Sequence, residues 1–269
     1  MLEIAGVRKS FGAREVVCGA TLDVPKGQVT SIIGPNGAGK TTLFNLISGT
    51  LSPDAGTITF EGRRIEGMAL DDVFRLGLAR TFQIARGLKA LSVRENVLLA
   101  APEQRGLNMF DVIFRPRLVR RAERANLERA DEILERLNLY RLRDEPAANL
   151  SGGQQKLLEL GRAIMAEPRL VLLDEPTAGV HPDLIRSIGD YIGSTARDLG
   201  VTYAVVEHNM RFVERISDRV VVLAEGRVLT SGSFEEVRED ARVLEAYLGR
   251  GAMETGGPVG GSPSNDEER

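Results

Sequence analysis

A chain of 269 residues with a net charge of -3 and a pI near 5.7 is long enough for a large core, and it lacks the basic footprint that binding nucleic acid by counterion release requires. Its single cysteine, Cys18, excludes a disulfide framework and a thiolate metal cluster; lying in an apolar stretch, it is expected to be a buried structural thiol. No apolar run reaches the length of a membrane span, and Met1-Leu2-Glu3 places no charged segment before an apolar one, so a soluble, cytosolic chain is expected.

Leu2 to Val7 and Val16 to Val24 alternate apolar and polar residues and read as strands, with Phe11-Gly12 in the turn between them. Phe11 is then an aromatic on a loop, either a minor core residue or a ring on which a base could stack. The apolar run Val29 to Ile33 leads into Gly34-Pro35-Asn36-Gly37-Ala38-Gly39-Lys40-Thr41-Thr42, and Leu43 to Ile47 follow. Strand, glycine-rich loop and helix in this order form the context of a P-loop. Its glycines let backbone N–H groups turn towards phosphate oxygens, and the helix that begins near Gly39 adds the positive end of its dipole. Lys40 is expected to reach the β- and γ-phosphates of a nucleotide and Thr41 to hold Mg²⁺ through its hydroxyl, with Thr42 beside it.

Gly56 to Phe60 reads as a strand and Leu70 to Leu76 as a short helix, followed by Ala79-Arg80-Thr81-Phe82-Gln83. Ser92 is placed to cap Val93 to Ala100, with Glu95 completing a capping box. From Phe110 to Leu139 the spacing is helical, interrupted at Pro116, and a polar face interleaves Arg115, Arg117, Arg120, Arg121, Arg124 and Arg129 with Glu123, Glu128 and Asp131. A solvated face of i,i+4 ion pairs is the expected meaning, ahead of a partner or headgroup site. Pro146 to Leu150 is a loop, and Ser151 opens a helix reaching Met165. Leu170 to Leu173, continuously apolar and of strand length, suits a strand buried on both faces of a parallel sheet. Helix over Leu184 to Ala196, strand over Val201 to Val206, a helix after His208, a hairpin of Arg219 to Ala224 with Arg227 to Thr230, and short helices at Phe234 to Val237 and Val243 to Leu248 complete the ordered chain. The tail from Gly251 to Arg269, rich in Gly, Pro, Ser and acids, is expected to be disordered.

Asp174 and Glu175 stand at the carboxyl end of the buried run, where open α/β sheets place their chemistry. Asp174 is suited to ligate Mg²⁺, directly or through water, and Glu175 to orient or deprotonate an attacking water. His208 follows the next strand and is expected at the same edge, within reach of a γ-phosphate. Leu150-Ser151-Gly152-Gly153-Gln154 is a second glycine-rich helix start suited to anions. One P-loop already cradles one triphosphate, so a second anion site makes sense facing a nucleotide held by another copy.

These motifs together resemble the ATP-binding subunit of an ABC transporter: the P-loop, Gln83 as the Q-loop glutamine, Leu150 to Gln154 as the signature, Leu170 to Glu175 as Walker B and His208 as the switch histidine, in family order. The resemblance covers residues 1 to about 249. It implies an α/β P-loop NTPase of the ABC ATPase type: a mixed sheet core, an antiparallel β subdomain and a helical subdomain at about 84–165, with a disordered tail over 250–269. It implies ATP and Mg²⁺ as ligands, with Thr41, Gln83 and Asp174 at the metal, Glu175, His208 and Gln83 in hydrolysis, and adenine on Phe11. It also implies two cassettes, identical or related, packed head to tail, each ATP lying between one P-loop and Ser151, Gly153 and Gln154 of the other. Arg80-Thr81-Phe82-Gln83, Ala178-Gly179-Val180, Glu207-His208-Asn209-Met210 and Ala246-Tyr247-Leu248-Gly249 look like the branched-chain amino acid importer group, whose pattern urea importers and lipopolysaccharide exporters largely share.

The partners implied are integral membrane permease subunits and, for an importer, a periplasmic or extracellular binding protein, which places the chain on the inner face of the cell membrane. The loop Ile84 to Leu91, with apolar residues beside Arg86 and Lys89, is where such a permease is expected to dock. His181 stands where the wider family usually carries Asp; either Asp183 substitutes or His181 is tolerated at the surface. A soluble ABC ATPase acting on DNA or ribosomes is the main competing function, but the chain lacks a long coiled coil between P-loop and signature and has one cassette, and its intact Glu175 speaks against a module that binds without turnover. The transported substrate belongs to other subunits and is not written in this chain.

Overall fold

The computed structural model describes residues 1–81, 86–102 and 113–254. Strands β1 (Leu2–Phe11) and β2 (Arg14–Val24) form a hairpin; β3 (Val29–Ile33) enters the P-loop and α1 (Lys40–Ile47) leaves it. Two further strands, β4 (Ala55–Phe60) and the two-residue β5 (Arg63–Arg64), join the hairpin in an antiparallel sheet of order β2-β1-β4-β5. The short α2 (Leu70–Arg75) then leads to β6 (Leu78–Arg80). Strands this short carry no periodicity, so β5 and β6 were invisible to pattern reading.

The second sheet has the order β10-β9-β3-β8-β7-β6, with β7 at Leu170–Asp174, β8 at Thr202–Val206, β9 at Arg219–Ala224 and β10 at Arg227–Gly232. All neighbours pair in parallel except β9 and β10, whose turn places Glu225 at φ 50° and Gly226 at φ 73°, the double positive φ of a tight hairpin. Strands β3, β7, β8 and β9 are buried on both faces, and alternate residues serve opposite cores. Leu170, Leu172, Ala204 and Val206 face the core that α1 fills from between the sheets with Leu43, Phe44, Leu46 and Ile47. Val171, Leu173, Tyr203 and Val205 face the core shared with the helical subdomain.

That subdomain consists of α3 (Val93–Leu98), α4 (Pro116–Arg136) and α5 (Gly152–Met165), packed through Val97, Ile133, Leu134, Leu157 and Leu158. The capping box of Ser92 and Glu95 is present. Pro116 breaks the stretch as expected: helix at 113–114 stops at Arg115, and α4 starts afresh at Pro116, where the first helical turn needs no N–H from that residue. On its polar face Arg124 meets Glu128 at 2.9 Å and Arg129 meets Glu167, while Arg94 reaches across from α3 to Asp131 at 2.9 Å. Arg124 and Glu128 form an i,i+4 pair of the kind expected, while the other two pairs tie the helix to neighbouring elements.

The remaining helices are α6 (Pro182–Leu199), α7 (Met210–Ile216), α8 (Phe234–Glu239) and α9 (Ala241–Glu254). The last corrects the tail boundary, since helix continues past Gly249 to Glu254. A glycine costs a formed helix only about 1 kcal/mol, and Ala252, Met253 and Glu254 are strong helix formers. The rest of the expected disordered tail lies outside the described residues. Cys18 is half-buried, not enclosed, because it lies on β2 against the β9–β10 turn, where its N–H donates to the Gly226 carbonyl at 2.8 Å. Among the described residues no helix is long and apolar enough to cross a membrane.

The strand that carries His208 is anchored by a buried polar pair. Tyr203 on β8 meets Thr195 Oγ1 on α6 at 2.6 Å, and burial pushes the Tyr203 phenol above its usual range. Thr195 also donates to the Tyr191 carbonyl at 2.7 Å. Thr195→Val leaves the tyrosine hydroxyl buried without that partner and should cost about 1–3 kcal/mol, whereas Tyr203→Phe should cost about 1 kcal/mol or less. Urea unfolding midpoints of the two variants check the order.

Candidate functional site

Three strands end at one edge. Ile32 of β3 pairs with Val206 of β8, and Asp174 of β7 pairs with the same Val206. The residues just past these ends, Gly34, Glu175 and His208, are therefore brought together although they are far apart in sequence. Glu175 and His208 line a cleft of about 320 Å³ together with Asn36 to Thr42 of the loop that Gly34 begins, with Arg14 and Val16 of β2 as a further wall.

The loop is shaped by close approach. At Gly34 a Cβ would lie 2.0 Å from the Leu223 carbonyl oxygen, so no larger residue fits. The Gly226 N–H donates to the Ala38 carbonyl at 3.1 Å, pinning the loop to the β9–β10 turn. Lys40, the first residue of α1, is buried, and its ammonium donates to the carbonyls of Gly34 at 2.8 Å and Pro35 at 3.0 Å. Burial pushes its pKa down, while the carboxylates of Glu175 and Asp174 raise it. A cation held partly desolvated in a ring of backbone groups is suited to phosphate oxygens, which would replace those carbonyls as its acceptors.

Glu175 stands at φ 48°, a left-handed conformation that costs a non-glycine residue about 1–3 kcal/mol. Its N–H donates to the Val206 carbonyl at 2.9 Å and its own carbonyl accepts from the Ala178 N–H at 3.1 Å, which holds it there. The side chain is half-exposed, and His208 Nε2 lies 3.2 Å from Glu175 Oε1. This pair can bracket a water and a terminal phosphate.

Asp174 is tied differently. Arg80 Nη2 reaches Asp174 Oδ2 at 3.1 Å, and Arg80 Nη1 donates to Asn45 Oδ1 on α1 at 2.6 Å and to Ser48 Oγ just past its end at 3.2 Å. The contact with Oδ2 orients the carboxylate and leaves its other oxygen to a cation. Among the described residues no group of three or more His, Cys, Asp or Glu side chains could hold a metal. The donors here, the Thr41 hydroxyl and Asp174, suit Mg²⁺, which binds through one or two protein oxygens, waters and substrate phosphates. Gln83, the remaining metal candidate, lies outside the described residues.

Phe11 ends β1, half-exposed, opposite Arg14 in the hairpin register, with Lys9 Nζ 6.0 Å from its ring centre. It stands beside the cleft through Arg14 and is not part of the lining. The signature residues Ser151, Gly152, Gly153 and Gln154 do not line the cleft either. Ser151 and Gln154 cap one another: Gln154 N–H donates to Ser151 Oγ at 3.3 Å and Ser151 N–H to Gln154 Oε1 at 2.9 Å. Ser151 and Gly152 are exposed, while Gly153 is buried where a Cβ would meet Leu184 Cδ1 at 2.6 Å. The helix start is thus rigid, packed on α6 and open outward. His181 is exposed before α6, its Nδ1 3.5 Å from Asp183 Oδ2, so it turns to its own helix.

A second cavity, about 450 Å³, opens between α2, β6 and the helical subdomain, with Phe74, Leu99 and Leu70 exposed at its rim and Leu88, Arg80, Glu159 and Arg162 inside. Of the segment Ile84 to Leu91 that sequence reading named for docking, 84–85 lie outside the described residues and Leu88 lines this cavity; Phe74 and Leu99 were missed, since a single exposed apolar residue on a short helix carries no signal. Sequence reading also assigned no role to Arg14, Arg80 or Glu207. For Arg80 and Glu207 the reason is that a charge gives no sign in sequence of being buried.

A family described as ABC transporter matches residues 17–178, and one described as branched-chain amino acid ATP-binding cassette transporter matches residues 227–252. The high-affinity branched-chain amino acid transport ATP-binding protein BraF of Pseudomonas aeruginosa is 38% identical, with 93% of this chain and 98% of that protein covered. The probable branched-chain amino acid transport ATP-binding protein LivG of Archaeoglobus fulgidus is 39% identical, over 93% and 95%. Among solved structures, a nucleotide-free ATP-binding cassette from an ABC transporter superposes with a TM-score of 0.78 at 35% identity, covering 92% of this chain and 98% of that one. The ADP conformation of MJ1267, an ATP-binding cassette of an ABC transporter, gives 0.78 at 34% identity, over 93% and 98%. This chain belongs to the ABC transporter family of ATP-binding cassettes, among the branched-chain amino acid transport ATP-binding proteins.

Proposed function

We propose that the chain is the ATP-hydrolysing motor subunit of a transporter that imports branched-chain amino acids. The observation that carries the catalytic part is the convergence of Lys40, Glu175 and His208 on one cleft at the ends of parallel strands; the names of its relatives support the substrate. Gly34, Pro35, Asn36, Gly37, Ala38 and Gly39 cradle the phosphates with their backbone, Lys40 neutralises them, Thr41 and Thr42 close the helix end, and Phe11 takes the adenine. Thr41 and Asp174, with Gln83, would hold Mg²⁺, which when bound would shield the phosphate charge. Glu175 orients and deprotonates the water, and His208 contacts the γ-phosphate.

The second anion site, at Ser151 to Gln154, faces a nucleotide on another cassette, identical or related, so closure of the dimer uses ATP contacts across the interface and hydrolysis releases it. The cavity with Phe74 and Leu99 exposed at its rim receives a segment of an integral membrane permease, which holds the chain at the inner face of the cell membrane. An extracytoplasmic binding protein delivers substrate to that permease.

Glu175→Gln should leave ATP affinity within about threefold and lower steady-state hydrolysis by about a hundredfold or more. Near-normal turnover in that variant rejects the assignment, and Lys40→Ala should instead weaken nucleotide binding itself. Phe74→Asp combined with Leu99→Asp should spare nucleotide affinity while reducing co-purification with the permease and transport. Unchanged assembly and transport would remove the docking site from this cavity.

A further inference from the structure

Glu207 follows the last residue of β8 and is only 2% exposed. Its two oxygens serve two separate loops. Oε1 accepts from the Thr177 N–H at 2.8 Å, across 30 residues of sequence; Oε2 accepts from the N–H groups of His208 at 2.8 Å and Asn209 at 3.1 Å. Thr177 lies on the turn begun by Glu175, and the Glu175 N–H is itself bonded to the Val206 carbonyl. The turn bearing Glu175 and the loop bearing His208 are thus tied together twice, once by backbone and once by this carboxylate.

A buried carboxylate costs several kcal/mol in lost hydration and persists only where donors meet it. Three charge-assisted N–H bonds do so here. A purely local role, ending β8 or starting α7, does not account for them: α7 is capped by Asn209, whose Oδ1 accepts from the Phe212 N–H at 3.2 Å, and the Thr177 bond is not local at all. We propose that Glu207 is a positioning residue for hydrolysis, holding Glu175 and His208 in register by clamping the loops on which they stand. This rests on the assignment of Glu175 and His208 to hydrolysis. The clamp fixes the 3.2 Å approach of His208 Nε2 to Glu175 Oε1, and a displacement of about 1 Å in such a pair is enough to lower turnover by about a hundredfold.

Two variants of the full chain test it. Glu207→Gln keeps the size but turns an NH₂ towards an N–H donor; Glu207→Asp keeps the charge but is one methylene too short to reach both loops. Both should lower kcat by about tenfold or more, with KM and metal-free ATP affinity changed by less than about threefold. In the metal-free, nucleotide-free protein, amide hydrogen exchange should rise together over 175–180 and 207–210, with β3 and the P-loop unchanged. Exchange that rises over 207–210 alone, or a kcat unchanged in both variants, overturns the clamp. So does a loss of protection throughout the central sheet or a failure of both variants to fold, since Glu207 would then be needed for the fold itself. Glu175→Gln, assayed in parallel, separates the two ideas: if it still turns over, the hydrolytic assignment fails, and if it alone is inactive, only the clamp does.

Discussion

Everything chemical in this chain depends on the parallel register of three strands. Ile32, Val206 and Asp174 stand side by side across β3, β8 and β7, so the loops that follow begin at one level of one edge. A slip by one residue would turn each strand's buried faces over and move Glu175 and His208 off the P-loop. The register is enforced from both sides, because alternate residues of β7 and β8 fill different cores: Leu170 and Leu172 the one around α1, Val171 and Leu173 the one shared with the helical subdomain.

The cleft then concentrates charges that would be unfavourable elsewhere. Lys40 is buried and bonded to the carbonyls of its own loop, Asp174 is oriented by Arg80, and Glu175 is held in a left-handed conformation by two backbone bonds. Glu207, buried beneath, is satisfied by backbone amides from both neighbouring loops. Each polar group is fixed before a nucleotide arrives, and such preorganisation is the largest lever a phosphoryl-transfer site has.

The parts of this arrangement that sequence made legible were those with a period or a motif. The apolar runs of β3, β7 and β8, the capping box at Ser92, the helix opened by Ser151 and the glycine-rich helix starts all appear where the pattern placed them. What stayed hidden were tertiary facts carried by single residues. Arg80 looks like any surface arginine until β6, too short to have a period, places it against Asp174 and α1. Glu207 reads as a polar residue ending a strand, and only the return of the 175–180 turn shows that it is enclosed. Pro116, by contrast, is legible: the helical spacing breaks at Arg115 and resumes at Pro116, whose missing N–H has no partner to lose at a helix start. Phe11 stands beside the cleft and outside its lining, because the hairpin register sets it opposite Arg14, which forms the wall.

The signature helix start is rigid, exposed and absent from the chain's own cleft, which gives the account its central claim: that the complete site is composite, made by two copies. Mixing purified Lys40→Ala chains with Ser151→Arg chains tests this most directly, because a head-to-tail pair then contains one site with both defects and one with neither. ATPase activity should appear in the mixture and be absent from either variant alone. Activity that stays absent on mixing, or wild-type turnover per chain that does not fall on dilution to monomer, would contradict it.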